Sequence, residues 1–284
     1  MQSISPASAI AVFAMALYLG ISSPSLADIS ATQATDASPA YADLADLSDS
    51  AQVVVRAQVR KVTRVEDARA RGLRAGWGRF YVQARTRALL TGQAPQGEAL
   101  TYLVDMPLGA RGKPPQVKKR DVLVFARPVR GRPGELQLVA PDAQLIWTPG
   151  VEAQLRTVLT ELAAPDAPGR VTGVRELIHV AGNLAGEGET QIFLTTEDGA
   201  AASITVQRRP GAAPLWGASF SELVAELGNP PRRDTLAWYR LACFLPAAPP
   251  AGANLSESEA SRVQADADYR MVIADMGACT RMRG

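Results

Sequence analysis

The chain is poor in the side chains that carry most metal and redox chemistry. Its 284 residues include one histidine and two cysteines. His179 alone is too little for zinc or iron ligation, and no C-x-x-C redox motif occurs. No run of about 20 apolar residues exists, which argues against a polytopic membrane protein and predicts no transmembrane anchor. No Ser sits in a G-x-S-x-G elbow, and Gly217-Ala-Ser219 lacks the second glycine. Gly109-Ala-Arg-Gly112-Lys113-Pro114 is not a phosphate loop: it lacks the four-residue gap and the hydroxyl after lysine, and its prolines carry no N–H. Gly182-Asn-Leu-Ala-Gly186-Glu-Gly188 does not match G-x-G-x-x-G. Glu187 and Glu189 lack the spaced aspartates of a calcium loop. No base precedes Arg56, and there is no internal repeat. The residues therefore nominate no cofactor, metal site or catalytic residue.

What is present is enough apolar material for a folded core: 47% of residues are hydrophobic and 20% charged, with a net charge of +2. Residues 1–27 read as a secretory signal peptide. Ala9 to Ile21 (AIAVFAMALYLGI) is an apolar run of 13, too short to span a bilayer. Ser25 and Ala27 are the small residues that place cleavage before Asp28. Residues 28–37 follow as a disordered leader. The expected location is periplasmic or secreted, and export permits a disulfide. Cys243 and Cys279, 36 positions apart, are read as that bridge; the alternative is two separate buried thiols.

Charge is unevenly distributed. Residues 28–51 hold five Asp and no base, residues 52–147 carry a net +11, and residues 148–284 a net −4. A basic stretch of that kind marks either a polyanion-binding face or simply solvated strand faces.

Hydrophobic periodicity predicts two folded units. The first, residues 38–165, opens with a helix (Ser38 as N-cap, Pro39 at N1, and Tyr41, Leu44 and Leu47 on one face). Strict alternation follows. Val53, Val55, Ala57 and Val59 face one way and Arg56, Gln58 and Arg60 the other; Phe80, Val82, Ala84, Ala88 and Leu90 oppose Arg79, Gln83, Arg85 and Arg87. Leu100, Tyr102 and Val104 mark a third strand. Val122–Phe125 is wholly apolar, as in strands buried on both faces, and Leu136 and Leu138 mark a fifth strand. Thr148-Pro149 opens a helix with Val151, Leu155, Val158, Leu159 and Leu162 as its stripe. The fold class is thus mostly β with α: a five-stranded OB-like β-barrel, closed or nearly so, with flanking helices, then a smaller α+β domain over 170–284.

That unit resembles netrin-like domains, the OB-fold module of tissue inhibitors of metalloproteinases. The resemblance lies in Ser50–Val59 (SAQVVVRAQV), in Phe80-Tyr81-Val82 leading to Leu89-Leu90-Thr91-Gly92, in Asp121–Arg127 (DVLVFAR) and in Gly134–Val139 (GELQLV). It implies the fold alone. Those inhibitors chelate zinc through an N-terminal cysteine, and residues 28–165 contain none.

In the second unit, residues 171–180 read as a strand, with Ile192 and Leu194, then Ile204 and Val206, on the next two. Ser219-Phe-Ser-Glu222 reads as a capping box opening a helix with Phe220, Leu223, Val224 and Leu227 inward and Gly228 as its stop. Asp234 is the expected cap of a segment bearing Leu236, Tyr239, Arg240 and Cys243. Ser256-Glu-Ser-Glu259 is a second capping box, opening a final helix with Val263, Ala267, Met271 and Ala274 inward. The disulfide would tie that helix to the Trp238 segment.

The functional expectation is an exported, non-enzymatic protein acting through protein or cell-envelope contacts. The alternative is a polyanion-binding module using Arg56, Arg60, Arg85 and Arg87 on one side of the barrel with Lys118, Lys119 and Arg120 on a nearby loop. Its partner would be an envelope protein or an anionic polymer, and nucleic acid is not expected. A third reading is a hydrolase using His179, which lies between Ile178 and Val180 without a signature around it.

Overall fold

The structure is a computed structural model that describes residues 38–93, 97–221 and 227–283. The expected signal peptide and leader lie outside the described residues, as do Leu223 and Val224 of the expected helix. From Ser38 onward the chain forms one compact unit.

The first sheet comprises β1 (Val53–Arg64), β2 (Trp77–Thr91), β3 (Ala99–Pro107), β4 (Asp121–Pro128), β5 (Leu136–Leu138) and β6 (Gln144–Ile146). It runs β3-β2-β1-β4-β5, and β6 also pairs with β4. All these pairings are antiparallel. The alternation read from the sequence holds for Val53, Val55, Ala57, Val59, Phe80, Val82 and Ala84, which all point into one core cluster. Leu90, expected on the same face, packs instead against a different cluster with Val54 and Leu123. Three irregularities in the long β1–β2 ladder leave Leu90, Arg87 and Arg60 without a directly opposed residue. Each extra residue bends and twists its strand, and the sheet curls into a half-barrel around Phe80, Tyr102 and Val124. At the seam, β3 meets the entry to β5 through an isolated parallel bridge between Thr101 and Glu135, the residue before β5.

The second sheet, β7 (Val171–Ala181), β8 (Gly188–Thr196), β9 (Ser203–Arg208) and β10 (Leu215–Ser219), runs β10-β9-β8-β7, all antiparallel. The helices are α1 (Tyr41–Ser50), α2 (Pro149–Leu162), α3 (Leu236–Ala242) and α4 (Glu259–Met276). β4 and the first three residues of β1, Val53, Val54 and Val55, are buried on both faces, as an unbroken apolar run requires. Val54, Leu123 and Phe125 turn away from the half-barrel into a second, larger cluster, shared with α1, α2, α3, α4 and the second sheet.

Several local expectations are corrected. Thr148 caps α2 as read, its Oγ1 accepting from Val151 N at 3.2 Å. For α1 the cap is Ala40 rather than Ser38, with the Asp43 carboxylate accepting from Ala40 N at 2.9 Å. Thr235 caps α3, and Asp234 instead holds a left-handed backbone at φ 58°. Ser219 ends a strand. Ser258 caps α4, while Ser256 accepts from His179 N. The inward face of α4 carries Ala265, Asp268, Tyr269, Val272 and Met276, and Val263 is exposed. The two polar residues on that stripe, Asp268 and Tyr269, each with a hydrogen-bond partner, disguise it in the sequence.

The disulfide forms between Cys243, the C-cap of α3, and Cys279, just beyond α4, with Cα atoms 5.1 Å apart. It pins the C-terminal tail to α3, and from there the tail reaches α1. No described helix is long and apolar enough to cross a membrane.

Candidate functional site

Period-two geometry puts alternate residues of β2 on the outside of the half-barrel: Trp77, Arg79, Tyr81, Gln83 and Arg85. Register extends this strip across the neighbouring strands. Gln83 lies between Lys61 and Thr101, and Tyr81 between Thr63 and Leu103. Tyr81 is 39% exposed and Leu103 49%, both large apolar surfaces open to solvent. At one end the Arg79–Asp105 ion pair, at 2.7 and 2.9 Å, closes the strip. Two hollows flank it. One of about 780 Å³ lies along the seam over Tyr81, Leu103 and Leu136. The other, about 560 Å³, is lined by Arg60, Gln83, Arg85 and Glu98. Thr101 lines both, so the surface is continuous.

The structure distributes the seven expected cations unequally. Arg56 is withdrawn from the face. Its guanidinium lies 3.6 Å over the Trp147 ring, donates to Asp121 at 2.7 and 2.9 Å and stands 3.6 Å from Glu152. The Trp147 indole N–H and then Arg156 hold the Glu152 carboxyl below the usual carboxylate range. Arg85 pairs with Glu98 in solvent. Arg87, one of the two unopposed residues of β2, donates to the Gln58 side chain at 2.8 Å. Arg60, the unopposed residue of β1, is exposed. Lys118, Lys119 and Arg120 form an exposed turn stitched to β1, with Lys119 N donating to Val59 O at 2.8 Å and Val59 N to Arg120 O at 3.0 Å. Lys119 adopts φ 68°, an uncommon backbone for a non-glycine residue. Among the described residues, the side chains of Arg60, Lys61, Lys118, Lys119 and Arg120 have no ion-pair partner. Lys61 and Leu103 do not stand out in the sequence, and Gln83 does so only as an outward position of β2. The pairing register, which follows the bulge at Arg60, is what brings them together.

His179 sits elsewhere, in a buried network on the second sheet. Its Nδ1 lies 2.8 Å from Thr190 Oγ1. The Thr190 hydroxyl in turn donates to Asp268 on α4, which is fully buried. Asp268 also accepts from Arg208 Nε at 2.6 Å and Gln264 at 3.1 Å. Because the threonine proton goes to the carboxylate, the threonine oxygen accepts from the imidazole, which is therefore protonated on Nδ1. A general base would instead accept the proton of the hydroxyl. Burial first, and then the Arg208 charge, push the His179 pKa down; Asp268 opposes them, and the net shift is downward. A Cβ on Gly188 would stand 2.6 Å from the ring, so glycine is required there. The network lines none of the hollows described here.

A third cluster is a latch. α1 presents Asp43, Asp46 and Asp49 at every third position. Asp43 accepts from the backbone N–H groups of Met282 and Arg283 at 2.9 and 3.1 Å. Asp46 accepts from Tyr239 Oη and Arg281 Nε, both at 2.6 Å. Asp49 takes both arms of Arg240, at 2.7 and 2.9 Å, and Arg170 Nε at 3.1 Å. Burial works to raise the Asp49 carboxyl, but the Arg240 and Arg170 hydrogen bonds outweigh it and hold it below the usual range. Arg240 is only 4% exposed and also donates to Pro168 O at 3.0 Å.

Among the described residues, no group of three or more His, Cys, Asp or Glu side chains is placed to hold a metal ion. Neither a protein-family model nor a curated protein matches the sequence.

Proposed function

We propose that this is an exported, non-enzymatic protein that works by contact, through the outer face of β1, β2 and β3. The observation that carries the reading is the strip itself. Tyr81 and Leu103 lie side by side, open to solvent, and line the seam hollow, with Lys61, Thr63, Gln83 and Thr101 around them. What sets this pair apart from the other exposed apolar residues is that it lines a hollow with polar groups converging on it, a combination that supports a binding site. The arrangement at His179 supports the non-enzymatic part, since the hydroxyl it touches already gives its proton to Asp268. The disulfide and the apolar run at Ala9–Ile21 support export.

The half-barrel is read as a partly open, netrin-like OB-fold. The strand order β3-β2-β1-β4-β5 and the parallel bridge from β3 to the entry of β5 support that reading.

The test is site-specific photo-crosslinking in the producing cell envelope. A photoreactive residue at Tyr81 is expected to trap a discrete adduct that the same residue at Leu184, an exposed position in the turn between β7 and β8, does not. Identical patterns at the two positions would reject the reading.

A further inference from the structure

Resting on that reading, we infer that the strip takes a linear anionic glycan, a chain of pyranose rings bearing carboxylate or sulfate groups. The acids near the strip do not balance its bases. Asp105 is taken up by Arg79 and Glu98 by Arg85. Arg60, Lys61, Lys118, Lys119 and Arg120 remain without an anion among the described residues, and they lie together. Lys61 is beside Gln83. The 118–120 turn is bonded to Val59, and the Gln58 amide donates to Lys119 O at 3.4 Å. A polymer that carries its own negative charges supplies what this surface lacks.

The uncharged groups narrow the class. Gln83, Thr63 and Thr101 offer an amide and two hydroxyls in adjacent registers, suited to a hydroxyl-rich chain. Tyr81 offers a ring face with the apolar Leu103 beside it. The other outward ring of β2, Trp77, is four residues away, about 14 Å along an extended strand. That spacing is too long to stack neighbouring bases, so the pattern differs from a single-stranded nucleic-acid track. The disulfide also favours an oxidising compartment. The chain would run from the Arg60–Arg85 hollow over Thr101 and Tyr81 to the seam.

The experiment is titration calorimetry of the whole chain with a heparin decasaccharide and with oligogalacturonate. Neutral dextran and a ten-residue oligothymidylate serve as comparisons, each at several salt concentrations. Heparin is expected to bind with an affinity that falls as salt rises, and dextran not to bind. Lys61→Glu/Arg85→Glu should weaken binding roughly tenfold or more, and the neutral pair Lys61→Gln/Arg85→Gln by less. Tyr81→Ala should weaken it several-fold with the salt dependence unchanged. Arg209→Glu/Arg232→Glu, an equal charge change on exposed residues away from the strip, should leave it unaltered. Equal losses in that control pair, or tighter binding of the oligonucleotide, would overturn the inference. If no anionic glycan binds while the Tyr81 crosslink persists, the ligand class is wrong and the contact surface stands. Loss of both rejects the two together.

Discussion

The arginines of the two halves of this chain do opposite work. Those of the C-terminal half that face α1 are bound to it: Arg170 and Arg240 to Asp49, Arg281 to Asp46. Arg283 reaches Asp142 at 2.7 Å. Along the outer β1–β2 face Arg56, Arg79 and Arg85 have acid partners, whereas Arg60, Lys61 and Arg87 stay in solvent with no ion-pair partner among the described residues. Both sets belong to one compact unit, so the difference lies in what each set faces. An acidic helix presents carboxylates at every third residue to the first set. The second set faces water across a pleated sheet. Net charge alone does not separate a structural cation from an available one; the opposing surface does.

The largest test of this contrast is at Asp49. Arg240→Ala leaves a carboxylate inside with one ligand removed and should cost about 3–5 kcal/mol in urea unfolding at neutral pH. Arg240→Met/Asp49→Leu, which removes both charges, should recover most of that loss. A single variant within about 0.5 kcal/mol of wild type would show that the latch holds nothing. Next is the disulfide. Reducing the Cys243–Cys279 loop should cost about 3–4 kcal/mol on chain-entropy grounds. It should also shrink the penalty of Arg281→Ala, because the bridge is what brings the tail to Asp46. Equal penalties with and without reductant would uncouple bridge and latch.

A smaller effect is expected on the second sheet. The folded state holds His179 neutral below the usual histidine pKa of about 6.5. The unfolded chain therefore binds a proton that the folded chain refuses, and stability falls as pH drops below about 6.5. At lower pH, protonation of Asp49 takes further stability away as pH falls below about 3.9. His179→Gln should remove the first of these two phases in a pH series of denaturant midpoints, and a profile unchanged by that variant would place the titration elsewhere. Smallest of all, Tyr81→Ser/Leu103→Ser should shift stability by no more than about 0.5 kcal/mol. A shift well above that would make the pair part of the structure rather than a free surface.

Much of the half-barrel is legible in the sequence because its long strands obey a period of two with one face buried. β1 and β2 are read from that alternation, β4 from its unbroken apolar run, and α2 from Thr148-Pro149. The three-residue strand β6 and the five-residue β10 are too short to show a period, and only pairing with β4 and β9 makes them strands. The face of α4 is misleading because Asp268 and Tyr269 look solvent-facing until Arg208, Thr190 and Pro246 O meet them. The candidate site is half legible. Alternation places Arg79, Gln83 and Arg85 on the outer face of β2, but three bulges set which residue of β1 stands beside each. Arg56 leaves the face because Asp121 and Glu152 approach it from distant positions, a tertiary fact that no local pattern carries.

The central claim is that β1, β2 and β3 present the working surface. Amide hydrogen exchange on the chain, free and saturated with its bound polymer, addresses it directly. Protection should concentrate in residues 61–64, 79–85 and 101–105 and spare the second sheet. Protection centred on residues 177–192 around His179, with the β1–β3 face unchanged, would contradict the account.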